Sequence, residues 1–352
     1  MVILRDENDY LADVICKSGF PLEIEVADIL ESHGWEVMPS LFYRDRDTNE
    51  FNEIDIIAHK TAAGALKGSP NYPYRVTVGL IVECKKREKT AWVFFPRPRD
   101  PNDVDYSGVG LAAVDSFRVA RISSLLAAHP LEPKHPALRL QAEFDLTPQA
   151  FVPAHIAREL WAANEQPNFI QARDFHCLSS QEKSLSYDVV RLEKHEQKFD
   201  RDSERKLIHG ALSGLAKAVD ERLVRESEAM QILLKAALDP EYVRLYPHMR
   251  QFSISYFFPV IVFYGKLKVW RKGIVSDTSE ILHEVILRSR YYFHDTLVSV
   301  VAKQGFERWL TQLESNMTAV VNKIVSQREK LDKQVELLER HHITESGQSQ
   351  KI

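Results

Sequence analysis

A helical pattern of apolar residues stands out near the start of the chain. Apolar side chains three or four positions apart after residue 21 predict one buried face of a helix. Pro21 suits the first helical turn, and Gly34 suits a C-terminal cap, so we expect a helix between them. The predicted buried face consists of Leu22, Val26, Ile29 and Leu30.

Two strand patterns follow this helix, separated by a polar turn. Residues 35–43 are rich in strand-forming side chains. Residues 53–58 predict a short strand. Because successive side chains of a strand point to opposite faces, Ile54 and Ile56 are expected on one face and Asp55 on the other. A carboxylate is therefore predicted inside an otherwise apolar strand.

A third strand is predicted after a long connection. Residues 60–74 contain several glycines and prolines, which predict a long hairpin loop. Residues 76–85 are almost continuously apolar, which is typical of a central strand buried on both faces. Together these patterns predict an α/β core.

The rest of the chain divides by composition. Residues 96–200 contain many prolines and predict a mostly helical insertion, with one helix near residues 111–128. A long amphipathic helix is expected over residues 201–238, ended by an Asp-Pro pair, with two strands at 253–263 and 266–270. The predicted units are therefore a first core part at 1–95, the insertion at 96–200, the rest of the core at 201–270, C-terminal helices at 271–343 and a polar tail at 344–352.

The predicted last helix carries an apolar stripe with a strict seven-residue repeat. Such a repeat favours a coiled-coil seam and hence a possible homodimer. Gln327 and Gln334 interrupt the second apolar position, so a long helix packed along its own domain is an equal alternative. The stripe consists of Leu310, Met317, Ile324, Leu331 and Leu338.

Composition narrows the class of protein. Of 352 residues, 44% are hydrophobic and 27% are charged, which is typical of a globular chain. The net charge of −4 shows no global basic excess, although a local basic groove remains compatible with nucleic acid. Three dispersed cysteines exclude a disulfide framework or zinc ribbon. The charged N-terminus does not resemble a signal peptide, and the longest uncharged apolar stretch, 252–265, is too short to span a bilayer. We therefore expect a cytoplasmic protein with no membrane association.

The chemistry is predicted at the end of the third strand. Strand alternation places Glu83 and Lys85 side by side on one face, beside a buried core. Charges in such a position are costly unless they are paired or bound to a metal ion. If the strand that carries Asp55 is a neighbour, Asp55 and Glu83 can converge. Two carboxylates without His or Cys favour Mg²⁺ or Mn²⁺ over zinc.

These elements resemble the PD-(D/E)xK nuclease superfamily, and most closely its Mrr-type restriction endonucleases. The resemblance covers residues 19–85: a helix with Leu22-Glu23, Ile29-Leu30 and Gly34, then Asp55, then the Glu83-Cys84-Lys85 triplet. It implies a restriction-endonuclease-like αβββαβ core, completed by the helix at 201–238 and a strand near 256–263. Outside this core would lie the helical insertion and a C-terminal helical extension. The sequence departs from the family in lacking a proline before Asp55 and in the long connection to Glu83.

The resemblance also implies roles for individual residues. Asp55 and Glu83 would ligate the metal ion, and the backbone carbonyl of Cys84 would complete its shell. Lys85 would orient the attacking water or stabilise charge on the phosphate, and Glu23 would hold the metal through water. Each role is chemically reasonable, because a cation polarises the phosphate and lowers the pKa of bound water.

A basic run follows the triplet. Lys86, Arg87 and Lys89 precede Trp92 and Phe94, an arrangement that could contact phosphates and stack on bases. The alternative is a solvated strand end that leads into core aromatic residues.

Two functions of different classes agree with this sequence. The first is a divalent-metal-dependent nuclease that acts on nucleic acid, with DNA favoured over RNA. The second is an inactive nuclease-like protein that binds nucleic acid or serves as a scaffold through its C-terminal helix. Retention of both acids and of Lys85 favours the enzyme.

Overall fold

The computed structural model describes residues 7–45, 48–66, 69–98, 110–115, 182–193, 200–238, 252–288, 293–319 and 321–322. The described helices are α1 (Glu7–Lys17), α2 (Phe20–Ser32), α3 (Arg201–Leu238) and α4, which is helical over 306–319 after a short 3₁₀ turn, Lys303–Gly305. The strands are β1 (Glu36–Arg44), β2 (Phe51–Leu66), β3 (Ser69–Pro98), β4 (Gly110–Asp115), β5 (Glu182–Arg191), β6 (Phe252–Arg271), β7 (Ile274–Asp277), β8 (Glu280–Arg288) and β9 (Phe293–Ala302).

One sheet contains all nine described strands, in the order β1-β2-β3-β5-β8-β9-β6-β4, with β7 paired to β6. β1, β2 and β3 pair antiparallel, whereas β6 runs parallel to β3 and also pairs with it. The 30-residue β3 can serve several neighbours because its first half pairs with β2 and its second half pairs with β5.

Helices cover both faces of the central strands. On one face, α2 and α4 pack through Leu22, Val26 and Leu310 against the even-numbered side chains of β3. On the other face, α3 packs against Ile81 of β3 and, beyond the register shift between Lys86 and Ala91, against Trp92 and Phe94. The protein is therefore mixed α/β, as the apolar patterns predict, and β3 is buried on both faces.

The predicted helix near the start of the chain is confirmed as α2. Leu22, Val26 and Leu30 form its buried face. The chain leaves the helix through Gly34, whose φ of +75° is readily accessible only to glycine. This turn directs the chain into β1.

The long loop predicted at 60–74 is wrong. β2 continues to Leu66 and β3 begins at Ser69, and the two strands stay paired from Ile56↔Val82 to Ala63↔Arg75 and beyond. Gly64 and Pro73 are accommodated within this extended hairpin, which has a register shift after Ala65. Continuous main-chain pairing therefore outweighs the local turn propensity of these residues.

The helices predicted after residue 271 are wrong up to residue 302, where the chain forms β7, β8 and β9. Ile281 and Leu282 of β8 are both buried although they face opposite sides. A strand buried on both faces has a continuous apolar sequence, which periodicity alone cannot distinguish from a buried helix.

The helical insertion is also wrong where it is described. Residues 110–115 and 182–191 form β4 and β5, so the helix expected near 111–128 is contradicted at its start. Pairing of β4 with β6 and of β5 with β3 explains why these short segments are extended. The remainder of the 96–200 prediction lies outside the described residues.

The apolar stripe of the last helix begins inside the protein's own core. Leu310 and Met317 are buried together with Leu313 and Val321 in the cluster beneath α2. For this part of the stripe, intramolecular packing is therefore correct and a dimer seam is not. Ile324, Leu331 and Leu338 lie outside the described residues.

A group of polar contacts around Glu314 connects α4 to the start of the sheet. Glu314 accepts hydrogen bonds from Trp35 Nε1 at 2.9 Å and from Lys60 Nζ at 2.6 Å, and it lies 3.0 Å from His33 Nδ1. These contacts fix α4 beside the turn between α2 and β1. Among the described residues, no helix is long and apolar enough to cross a membrane.

Candidate functional site

The candidate site lies where β2 and β3 separate. Their regular pairing ends at Ile56↔Val82. One residue further on, the Asp55 carboxylate accepts a hydrogen bond from the backbone N–H of Cys84, with 2.7 Å between N and Oδ2. This side-chain hydrogen bond replaces the main-chain pairing and fixes the Asp55 carboxylate beside the middle of β3, because the strand continues to Pro98 instead of ending at Lys85 as predicted.

This arrangement corrects the expected alternation of β2. Ile54 packs in the α3-side cluster together with Ile57, whereas Ile56 packs in the α2-side cluster. Ile54 and Ile56 therefore do not share a face. The strand loses its regular alternation at Asp55 because the carboxylate turns towards the backbone of β3.

The structure brings the predicted acids and the predicted lysine together. Lys85 Nζ donates a hydrogen bond to Glu83 Oε2 and lies 3.8 Å from Asp55 Oδ2. Continuing the β2–β3 register makes Asp55 the partner position of Glu83. The ammonium group therefore lies close to both carboxylates.

Burial controls the charge of this group. Glu83 is only 8% exposed, and burial raises its pKa to about 7 although the Lys85 ammonium acts in the opposite direction. Burial alone would lower the pKa of Lys85, but the carboxylates of Glu83 and Asp55 raise it overall. At neutral pH, Lys85 is therefore charged and Glu83 is close to its midpoint.

Glu23 lies near this group without bonding to it. It belongs to the first turn of α2, and its Oε1 would be 3.1 Å from a Cβ added at Gly19. Burial raises the pKa of Glu23, and the Asp55 carboxylate raises it further. Within the described part of the chain, no hydrogen bond connects Glu23 to the other site residues. This position is compatible with the water-mediated role that the resemblance implies.

The donor set fits a hard divalent cation, although it is not arranged as a metal cage. No group of three His, Cys, Asp or Glu side chains among the described residues is placed to hold a metal ion. Asp55 and Glu83 supply the oxygen donors that Mg²⁺ and Mn²⁺ prefer, but the Lys85 ammonium now lies against both. The Cys84 thiol is buried in the apolar core, where burial raises its pKa, so only the carbonyl of Cys84 is left as the predicted ligand.

A cleft of about 610 Å³ opens beside these residues, between the sheet and α3. One wall contains Tyr43, Glu53, Glu83 and Lys85 from the sheet, together with Asn52. The other wall is a face of α3, formed by Ser203, Lys206, Leu207, Gly210, Ala211 and Gly214.

The basic run is held by intramolecular contacts rather than facing this cleft. Its three members each have a partner within the protein: Lys86 bonds the carbonyl of Cys16 at 2.6 Å, Arg87 Nε is 3.2 Å from Glu204, and Lys89 Nζ is 3.2 Å from Glu193. Trp92 and Phe94 are buried core residues, and Trp92 stacks on Phe263. For these aromatic residues, the core interpretation is confirmed.

Sequence reasoning missed Tyr43 and the α3 wall of the cleft. Tyr43 lies in a predicted strand with no local sign of function. A signal did exist in α3, because Gly210 and Gly214 are one helical turn apart inside a helix, where glycine is unfavourable. Lys206 lies one turn before Gly210 on the same face.

Comparison of the chain with protein families, with curated proteins and with solved structures gives no match in any of the three. The candidate function therefore rests on the residues and geometry of the site.

Proposed function

We propose that this protein is a divalent-metal-dependent nuclease that hydrolyses phosphodiester bonds of nucleic acid, with DNA as the favoured substrate. One observation carries the proposal: Asp55 and Glu83, from two adjacent strands, meet at Lys85 beside an open cleft. Buried, closely spaced titratable groups in a cleft are characteristic of catalytic sites.

The order and direction of the central elements support this proposal. A helix, three antiparallel strands, a second helix and a strand parallel to the third occur in the order α2-β1-β2-β3-α3-β6, with β4 and β5 inserted between β3 and α3. Apart from this insertion, the order agrees with the αβββαβ core that the resemblance to PD-(D/E)xK nucleases implies. The strands β4, β5 and β7–β9 are additions to that core.

In this proposal each residue has a defined task. Asp55 and Glu83 would hold a Mg²⁺ or Mn²⁺ ion, and the Cys84 N–H keeps Asp55 oriented. When bound, such an ion would act as a Lewis acid and lower the pKa of a bound water molecule. Glu83 would have to be ionised to hold it, and its second oxygen can still accept the hydrogen bond from Lys85. The Lys85 ammonium, which lies close to both carboxylates, would stabilise negative charge on the phosphate.

The test is cleavage of plasmid and single-stranded DNA by the purified protein, with and without Mg²⁺ or Mn²⁺. We expect metal-dependent cleavage that is abolished in Asp55→Ala, Glu83→Ala and Lys85→Ala. Glu36→Ala is a matched control, because Glu36 is an exposed acid at the start of β1, away from the cleft. Full activity in Glu83→Ala would overturn the site. DNA binding without cleavage under any metal condition would instead favour the non-enzymatic alternative.

A further inference from the structure

Tyr43 presents an unused polar group to the cleft. Its side chain belongs to β1, is only 6% exposed and lines the cleft beside Glu83 and Lys85. Its hydroxyl oxygen would lie 3.7 Å from a Cβ added at Gly214, so it points across the cleft towards α3. Among the described residues, this hydroxyl has no hydrogen-bond partner. The oxygen is accessible from the cleft rather than fully buried, so water or a bound ligand can supply its partner.

Lys206 presents a positive charge on the opposite wall, and it attracts the Asp200 carboxylate only beyond ion-pair distance. It is exposed, and within the described ranges no carboxylate lies within 4.0 Å of its ammonium group. The nearby Asp200 carboxylate is engaged by Ser203, whose hydroxyl donates to it at 2.6 Å. This situation differs from that of Lys85 in the same cleft, which already contacts two carboxylates.

The helix wall between these two groups is open. A Cβ added at Gly210 would meet no atom within 4 Å, and one added at Gly214 would meet only the Tyr43 hydroxyl. Each glycine inside a helix costs roughly 1 kcal/mol relative to alanine. The bare wall therefore leaves room for a ligand between Lys206 and the acids on the sheet.

We propose that the Tyr43 hydroxyl and the Lys206 ammonium form a subsite that binds separate phosphates of one nucleic-acid strand running along α3 in the cleft, because the two groups lie about two helical turns apart on this wall. The subsite deepens the proposed nuclease function and rests on it for the identity of the strand. It assigns phosphate binding to α3 and β1 rather than to the Lys86–Lys89 run, whose cations have partners within the protein.

The chemistry of the two groups suits a phosphodiester. Burial, together with the carboxylates of Asp45 and Glu83, raises the pKa of Tyr43 to about 12, so its hydroxyl keeps its proton at neutral pH. It can therefore donate a hydrogen bond to a phosphate oxygen but cannot act as a base. Lys206 adds a positive charge that attracts another phosphate of the same strand, about two turns earlier along α3.

The test measures binding of a fluorescent 20-nucleotide DNA, single-stranded and as a duplex, over a range of salt concentrations. All proteins in this test carry Asp55→Asn, which prevents cleavage of the DNA during the measurement. This background protein is compared with double variants that also carry Tyr43→Phe, Lys206→Met or, as a control, Lys272→Met. Lys272 is an exposed lysine in the β6–β7 turn, roughly 30 Å along β6 from the position paired with Lys85.

We expect Lys206→Met to weaken binding about tenfold and to reduce the slope of log K against log salt by about one, as for loss of one phosphate contact. Tyr43→Phe should weaken binding about five- to tenfold without changing the slope, since it removes a neutral donor. Its melting temperature should not fall, because the hydroxyl has no partner in the protein. Lys272→Met should match the background protein.

Three results would each overturn the subsite. The first is equal affinity and slope in Lys206→Met and the background, and the second is an equal loss in Lys272→Met. The third is the absence of any DNA binding at low salt. The nuclease proposal fails separately. The wild-type protein could bind DNA in a salt-dependent way that requires Lys206 and yet never cleave it. That result would support the subsite and contradict the nuclease activity.

Discussion

Glu83→Gln should change how the stability of the metal-free protein depends on pH. The pKa of Glu83 is about 7 in the folded protein, against 4.5 for an unperturbed glutamate. At 1.36 kcal/mol for each pKa unit, ionising Glu83 costs the folded state about 3 kcal/mol relative to the unfolded chain. Glutamine has a similar shape and cannot ionise, so the variant avoids this cost.

Because the pKa of Glu83 is raised in the folded protein, the protein becomes less stable as the pH increases. Between pH 4.5 and 7 the folded state binds the Glu83 proton more tightly than the unfolded state does. The free energy of unfolding therefore falls as pH rises through this window. From pH 5 to pH 8, the contribution of Glu83 amounts to a loss of about 2–3 kcal/mol. In Glu83→Gln this part of the loss should disappear, and the variant should be the more stable protein at pH 8.

Urea unfolding in EDTA at pH 5, 6, 7 and 8 measures the effect, and Glu280→Gln provides a matched control. Glu280 is another buried carboxyl outside the cleft, where burial raises its pKa to about 7 although Trp309 Nε1 donates to it at 3.1 Å. Both variants should flatten the pH dependence by a similar amount. Only Glu83→Gln should abolish cleavage, and Mg²⁺ at pH 8 should stabilise Glu280→Gln but not Glu83→Gln.

An equal decrease in the free energy of unfolding of Glu83→Gln and the wild type between pH 5 and pH 8 would contradict the raised pKa of Glu83. That result would mean that the Lys85 ammonium, rather than burial, determines the charge of Glu83. If both variants have a flatter pH dependence of stability but cleave DNA equally well, the raised pKa of Glu83 is supported. In that case, Glu83 is not an active-site residue.

Three further outcomes are expected. Glu23→Gln should lower the cleavage rate less than Asp55→Asn, with unchanged far-UV circular dichroism, and loss of folding would make Glu23 a structural residue. Gly210→Ala should raise the unfolding free energy by about 0.5–1 kcal/mol in urea titrations, because the site is open helix, and a decrease would contradict this. A chain ending at residue 311 should fail to fold by circular dichroism and sedimentation, since it lacks the buried Leu313 and Met317, each worth about 2–5 kcal/mol. A folded truncated monomer would contradict the core role of α4.

The sequence predicts the first part of the core well because its signals are local. Pro21 and Gly34 bound α2, and the apolar run around Val82 is long enough to require a central strand. The charged pair at its end, Glu83 and Lys85, is visible because it contrasts with that run. Such elements are determined largely by their own side chains.

Prediction was wrong where neighbouring strands determine the conformation. The segment around Gly64 and Pro73 has turn residues, but β2 and β3 pair across it. The segment around Ile281 has an apolar pattern that suits helix or strand, and pairing with β9 makes it a strand. Strand pairing over long sequence separations is not encoded in a local window.

For the same reason, the sequence does not predict that Tyr43 and α3 line the cleft. Tyr43 and Lys206 face one cavity, but the elements that carry them are far apart in the chain. Nothing in β1 alone indicates that the Tyr43 hydroxyl lacks a partner. Only the packing of α3 over the sheet reveals it.

The hydrogen bond from Cys84 N–H to Asp55 connects the fold to the proposed chemistry. A regular β2–β3 ladder through this position would keep Asp55 and Glu83 as an ordinary cross-strand pair of like charges, which is unfavourable. By ending the ladder at Ile56↔Val82, the sheet turns Asp55 towards the backbone and leaves room for the Lys85 ammonium near both acids. The separation of the strands therefore makes the acidic site possible, and it also opens the cleft in which Tyr43 meets α3.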